Sequence, residues 1–173
     1  MTEDLGSERY CPSAEPGEPG AVVLGLVAGP ARPVTYLDAP VPVTAELLGG
    51  LGDVPPGRVL RIAAPCMQGE CRHWGEGSGC GLVTKIARAL PEVAADGPLP
   101  RCHLRARCRW CEQEKAAACR RCPLVLTSTD ETELSRRVAD PGVTADEFDP
   151  RDLPDLAGGS GVRPRPGPRP GPR

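Results

Sequence analysis

Aromatic side chains are nearly missing from this sequence: Tyr10, Tyr36, Trp74, Trp110 and Phe148 are the only five in 173 residues. Because aromatics bury the largest areas per side chain, a large hydrophobic core is excluded. Long apolar runs are missing as well. The best, Ala21 to Ala28, falls far short of the roughly 20 residues that a helical membrane span needs. The opening MTEDLGSERY is acidic where a secretory signal is basic and then apolar. These absences predict a soluble, cytoplasmic chain without a membrane partner. No Ser/His/Asp order, phosphate-cradling glycine loop or paired-carboxylate signature stands out, so nothing points to a hydrolase or a nucleotide-binding enzyme, although thiol redox activity stays open.

What the sequence has instead is glycine (21), proline (22) and cysteine (9). Glycine and proline together reach the level at which partial disorder is expected. Eight of the nine cysteines lie between Cys66 and Cys122. In a secreted chain that density means disulfides, whereas in a reducing compartment it means metal or redox chemistry.

The organisation predicted is α+β. Residues 1–20 are polar, rich in Pro, Gly and Glu, and read as disordered, with Cys11 an unpaired surface thiol. Residues 21–65 read as a small β scaffold, because AVVLGLVA, VTYL, VPVT and RVLRIA are short β-branched runs broken by Gly and Pro. Within it, TAELLGGL suits a helical turn or two, with Thr44 as N-cap and Gly49 or Gly50 as the stop. Residues 66–127 form the cysteine-rich module, with an amphipathic helix over residues 82–90 that Pro91 ends. A strand at PLVLT closes this module. Residues 128–173 read as a short helix, opened by a Ser128/Glu131 capping box, then a disordered acidic and Pro/Arg/Gly-rich tail.

The cysteine spacings carry the chemistry. Cys66-x4-Cys71-x8-Cys80 is followed, after 21 residues, by Cys102-x5-Cys108-x2-Cys111-x7-Cys119-x2-Cys122. A Cys-x2-Cys pair lets two sulfurs reach one ion from a single tight turn. At helical spacing Cys108, Cys111, Cys119 and Cys122 fall on one stripe, but 11 residues of helix put Cys108 about 16 Å from Cys119. One straight helix therefore cannot bring both pairs to one ion. Either the chain turns back between Cys111 and Cys119, or each pair serves its own site. The segment EQEKAAA, of high helix propensity and without Gly or Pro, favours the second option. Two sites are expected, one on Cys108 and Cys111, the other on Cys119 and Cys122, completed by Cys66, Cys71, Cys80 and Cys102.

Eight thiolates suit iron–sulfur clusters, with the four-iron form leading, or two tetrahedral zinc ions. Cys122-Pro123 is similar to the end of a bacterial ferredoxin ligand run, and the Cys-x2-Cys pairs are similar to zinc-ribbon knuckles, yet neither run is complete. The expectation is a cysteine-rich metal-binding protein carrying one or two clusters for electron transfer or redox sensing. The alternative is a structural zinc adaptor that contacts nucleic acid through Arg101, Arg105, Arg107, Arg109, Arg120 and Arg121. The module's ten basic and six acidic side chains give it a net +4. Eight thiolates around two dications would neutralise that charge, so it has an internal use and the nucleic-acid reading is not favoured. His73 and His103 read as neighbours of the sites rather than ligands, and Trp74 and Trp110 as covers that exclude water.

Overall fold

The computed structural model describes residues 8–28, 34–75, 77, 79–90, 97–125, 127 and 132–153. Its architecture is α+β: a four-stranded antiparallel sheet near the N-terminus followed by short helices. The strands are β1 (Tyr10–Cys11), β2 (Val22–Leu26), β3 (Thr35–Pro42) and β4 (Leu60–Pro65), in the order β1-β4-β2-β3. VTYL and VPVT are thus one strand. Its two prolines, Pro40 and Pro42, are tolerated because β3 lies at an edge, where a missing N–H costs no ladder bond.

Strand β4 explains why its sequence, LRIAAP, is continuously apolar apart from Arg61. Side chains alternate between the two faces of a strand. Leu60, Ile62 and Ala64 face a cluster with Val23, Ala21 and Ala14, flanked by Leu47 of the helix α1 (Ala45–Gly49) and by Val59 of α2 (Pro56–Val59). Ala63 faces the other way, packing with Leu24 and Leu104. Arg61 shares that second face and is fully buried. Both faces of β4 are therefore covered. A bulge between Val23 and Gly25 shifts the register against β3 and β4. Gly25 is obligatory there, since a Cβ would stand 2.7 Å from the Thr35 carbonyl oxygen.

Helix α1 is capped as its sequence indicates. Thr44 Oγ1 accepts from Leu47 N at 3.1 Å, and Gly50 closes the end. The amphipathic helix α3 spans Gly81–Ala89, buries Val83 and Ile86, and contacts both α4 (Arg109–Arg121) and α5 (Glu133–Ala139). Buried Lys85 of α3 donates to the carbonyls of Asp140 (2.5 Å) and Val143 (3.0 Å), tying down the chain beyond α5. Among the described residues no helix is long and apolar enough to cross a membrane.

Four expectations need correction. Residues 8–20 are ordered rather than disordered, because β1 pairs with β4 (Tyr10↔Pro65, Cys11↔Ala64) and Ala14 is buried in the core. No strand begins at PLVLT: Cys122–Leu124 is a 3₁₀ turn, with the Pro123 carbonyl accepting from Val34 N at 2.8 Å. The last helix starts at Glu133 with Thr132 as N-cap, its Oγ1 accepting from Ser135 N at 3.0 Å. The acidic stretch 140–153, expected to be disordered, is held by Lys85 and Arg88 and buries Phe148 and Leu153, while the Ser128/Glu131 box and the tail beyond Leu153 lie outside the described residues.

Candidate metal centre

Five cysteines line one cavity: Cys102, Cys108, Cys111, Cys119 and Cys122. Its remaining wall is largely apolar, with Leu24, Leu104, Trp110 and Ala118. The element that makes this possible is α4, which is not one straight helix. Lys115 sits at φ 54, ψ −138, and the run is broken there into two helical pieces. The chain turns back, and the Cys119 thiol donates a hydrogen bond to Cys111. Both Cys-x2-Cys pairs therefore face one cavity, which overturns the expected division into one pair per site. The physical reason is packing. Trp110, before the break, and Ala118, after it, are buried in the same cluster with Val83 and Ile86 of α3, and that burial overrides the helix propensity of EQEKAAA.

Backbone N–H groups are aimed at several of these sulfurs. The Leu104 and Arg105 N–H groups lie near the Cys102 sulfur, and those of Trp110 and Cys111 near Cys108, the residue that opens α4, without capping it. Such donors favour the thiolate form. Burial opposes them and dominates. Desolvation pushes the Cys108 and Cys119 thiols up to about 12 and raises Cys102 as well, with Arg105 pulling Cys102 and Cys119 back.

Cys122 has the most unusual surroundings. Arg61 Nη2 reaches its Sγ at 3.8 Å, and the Tyr36 hydroxyl donates to it. Burial, followed by the neighbouring Cys122, raises the Tyr36 hydroxyl far above its ordinary value. Arg61 Nη1 donates to the Val125 carbonyl, its guanidinium lies 5.6 Å from the centre of the Trp110 ring, and its Nε has no hydrogen-bond partner among the described residues. Among the described residues no carboxylate pairs with Arg61.

The other four cysteines, Cys11, Cys66, Cys71 and Cys80, line a second cavity together with His73 and Trp74. Cys11 is thus not an isolated surface thiol. Burial pushes it up to about 12, with Cys80 and Cys66 near enough to add to the shift. Cys80 is raised by burial too, against N–H donors from Val83 and Leu82 at the start of α3. His73 is shifted down by burial and then by Lys85, and its Nδ1 is buried without a partner among the described residues. His103 Nδ1 contacts the Leu37 carbonyl at 3.1 Å and is in the wall of neither cavity. All nine cysteines are free thiols. As placed, no three His, Cys, Asp or Glu side chains among the described residues are grouped so as to hold a metal ion. The thiols are spread around the two cavity walls.

The arginines singled out by sequence are mostly engaged within the fold. Arg105 donates to the Pro100 carbonyl, and Arg107 lies over Tyr10 at 5.0 Å. Arg109 pairs with Glu112 at 2.7 Å and lies over Trp74 at 5.1 Å. Arg120 donates to the Gly97 carbonyl and Arg121 to that of Leu90, while Arg101 is exposed. Trp110 is 1% exposed and covers the first cavity. The residues that sequence reasoning missed are Arg61, Tyr36 and Cys11. The available signal was a single arginine inside the apolar run of β4.

No family model matches the chain, and no curated protein or solved structure is similar to it.

Proposed function

We propose that this chain is a metal–thiolate protein of a reducing, cytoplasmic setting, whose five-thiol cavity holds an iron–sulfur cluster, of the four-iron type, for electron transfer or redox sensing. One observation carries the reading: the fully buried Arg61 guanidinium meets a cysteine sulfur where a carboxylate would be expected. Leaving a charge buried and uncompensated costs on the order of 3–5 kcal/mol. A cluster held by four thiolates is net negative and supplies the missing counter-charge. Hydrogen bonds to cluster sulfurs and burial also set a reduction potential. The Tyr36 hydroxyl, the N–H groups at Cys102 and Cys108, and the cover of Trp110 and Leu104 would act in that way.

The chain's own residues have distinct parts in this account. Cys102, Cys108, Cys111, Cys119 and Cys122 offer one thiol more than four-fold ligation uses, and Arg61 and Tyr36 stabilise the negative charge at Cys122. The test is the full chain purified without oxygen. A coloured protein containing iron and acid-labile sulfide is expected, with one centre's worth of both lost in the double variant Cys108→Ser/Cys122→Ser, which leaves the cavity three thiols. A colourless preparation replete with zinc would overturn the iron–sulfur assignment in favour of a structural zinc module.

A further inference from the structure

We propose that Cys11, Cys66, Cys71 and Cys80 form a second, all-thiolate centre for a thiophilic cation, separate in its ligands from the five-thiol cavity. This inference rests on the metal–thiolate reading above and deepens it by drawing Cys11 into the ligand set. Fifty-four residues separate Cys11 from Cys66, so no spacing motif relates them. Strand pairing does. Cys11 lies opposite Ala64, and Cys66 N donates to the Arg9 carbonyl at 2.7 Å, which holds the two cysteines at one end of the β1–β4 ladder. Alternation along β1 then sends neighbours to opposite sides, with Tyr10 in the wall of the five-thiol cavity and Cys11 in the wall of the other.

The loop that carries the remaining two ligands is closed by its own backbone. Trp74 N donates to the Cys71 carbonyl at 2.9 Å, Gly81 N donates to the His73 carbonyl at 2.8 Å, and Trp74 forms an isolated β-bridge with Cys80. Gln113 of α4 grips both backbone groups of Cys80, accepting from its N–H at 2.8 Å and donating to its carbonyl at 3.1 Å. Cys80 is the N-cap of the nine-residue α3, which sets its sulfur beside the Leu82 and Val83 N–H groups without a capping hydrogen bond. The four sulfurs are electrostatic neighbours: Cys11 feels Cys66 and Cys80, and Cys80 feels Cys66 and Cys71. His73 Nδ1, buried and unpartnered in the same cavity wall, offers a hydrogen bond to a thiolate formed there.

Four thiols match the four positions of a tetrahedral centre. With zinc, four S–H bonds break, four Zn–S bonds form, four protons pass to solvent and no electron moves. A four-iron cluster would use the same four sulfurs, so the experiment has two arms. The full chain, stripped of metal under reducing, oxygen-free conditions, is reloaded with Zn²⁺ alone or with Fe²⁺ and sulfide, and the bound metal is counted.

Cys11→Ala should hold one centre fewer than the wild type in the arm that fills this site, while keeping the centre that the double variant Cys108→Ser/Cys122→Ser loses. The centre it keeps also shows that the variant has folded. Wild-type metal content in Cys11→Ala overturns the proposal but not the reading of the five-thiol cavity. A wild-type chain that binds no metal in either arm overturns both. In the wild type, loading should also shield Cys11 from alkylation along with Cys66, Cys71 and Cys80. If loading leaves the labelling of Cys11 unchanged, the proposal fails, whether or not Cys11→Ala folds.

Discussion

A buried cation facing a sulfur is the most informative single residue environment in this protein. Arg61 sits in the middle of β4, has no exposed surface and contacts Cys122, Trp110 and the Val125 carbonyl. If its role is to balance an anionic centre, Arg61→Met should destabilise the metal-loaded chain by about 3 kcal/mol and the metal-free chain by much less. Unfolding of the variant and wild type, each with and without metal, checks this; equal losses in both forms would make Arg61 merely structural. The thiols give a second prediction. Burial lifts Cys11, Cys108 and Cys119 from an ordinary value of 9.0 to about 12, so the folded metal-free chain keeps protons that the unfolded chain releases. That stability is complete below about pH 9 and declines as pH rises toward 12. The loaded chain should show the reverse slope on the acid side, because protons compete with metal for thiolates. Thermal unfolding followed against pH, with and without metal, reads both slopes.

Two short elements decide where the thiols go. The break in α4 at Lys115 brings the two Cys-x2-Cys pairs together, and β1 brings Cys11 to Cys66. Lys115 is one of two non-glycine residues with positive φ among those described, in a region of backbone space suited to glycine. Lys115→Gly should therefore stabilise the chain by about 1 kcal/mol and leave metal content unchanged, whereas Lys115→Val should destabilise it and lower metal content. Denaturant midpoints and metal counts of the two variants test this. These elements also mark the limit of what was legible in the sequence. The long strands, α1 with its Thr44 cap and the amphipathic α3 could be read because β-branched runs, capping side chains and apolar periodicity are local signals. β1 is only two residues long and polar at its flanks, so its pairing arises from the partner strand. The turn at Lys115 runs against local propensity, and only the burial of Trp110 and Ala118 on either side reveals why it forms. The cysteines between Cys66 and Cys122 stood out in the sequence; which of them line which cavity, the place of Cys11 in the second cavity wall and the contact of Arg61 with Cys122 did not.

At the scale of the whole molecule, the sheet divides the labour. One face of β4 packs with α1 and α2 into an ordinary small core, and the other face, through Arg61 and Ala63, meets the cysteine-rich half. With so few aromatics, that half is built around thiols: Cys80, Cys108 and Cys122 belong to its main packing cluster. Metal–thiolate bonding of structural zinc contributes on the order of 10 kcal/mol per site, enough to govern the stability of such a module. Chelation should consequently speed amide hydrogen exchange in α3 and α4 far more than in β2 and β3, and uniform acceleration would show that the two halves do not differ in this way. The most direct test of the account is native mass spectrometry of the full chain purified without oxygen. The account predicts a species heavier than the 18.2 kDa chain by a four-iron, four-sulfide cluster, with a second metal centre bound as well. A bare chain carrying nine free thiols, or one carrying zinc alone, would contradict it.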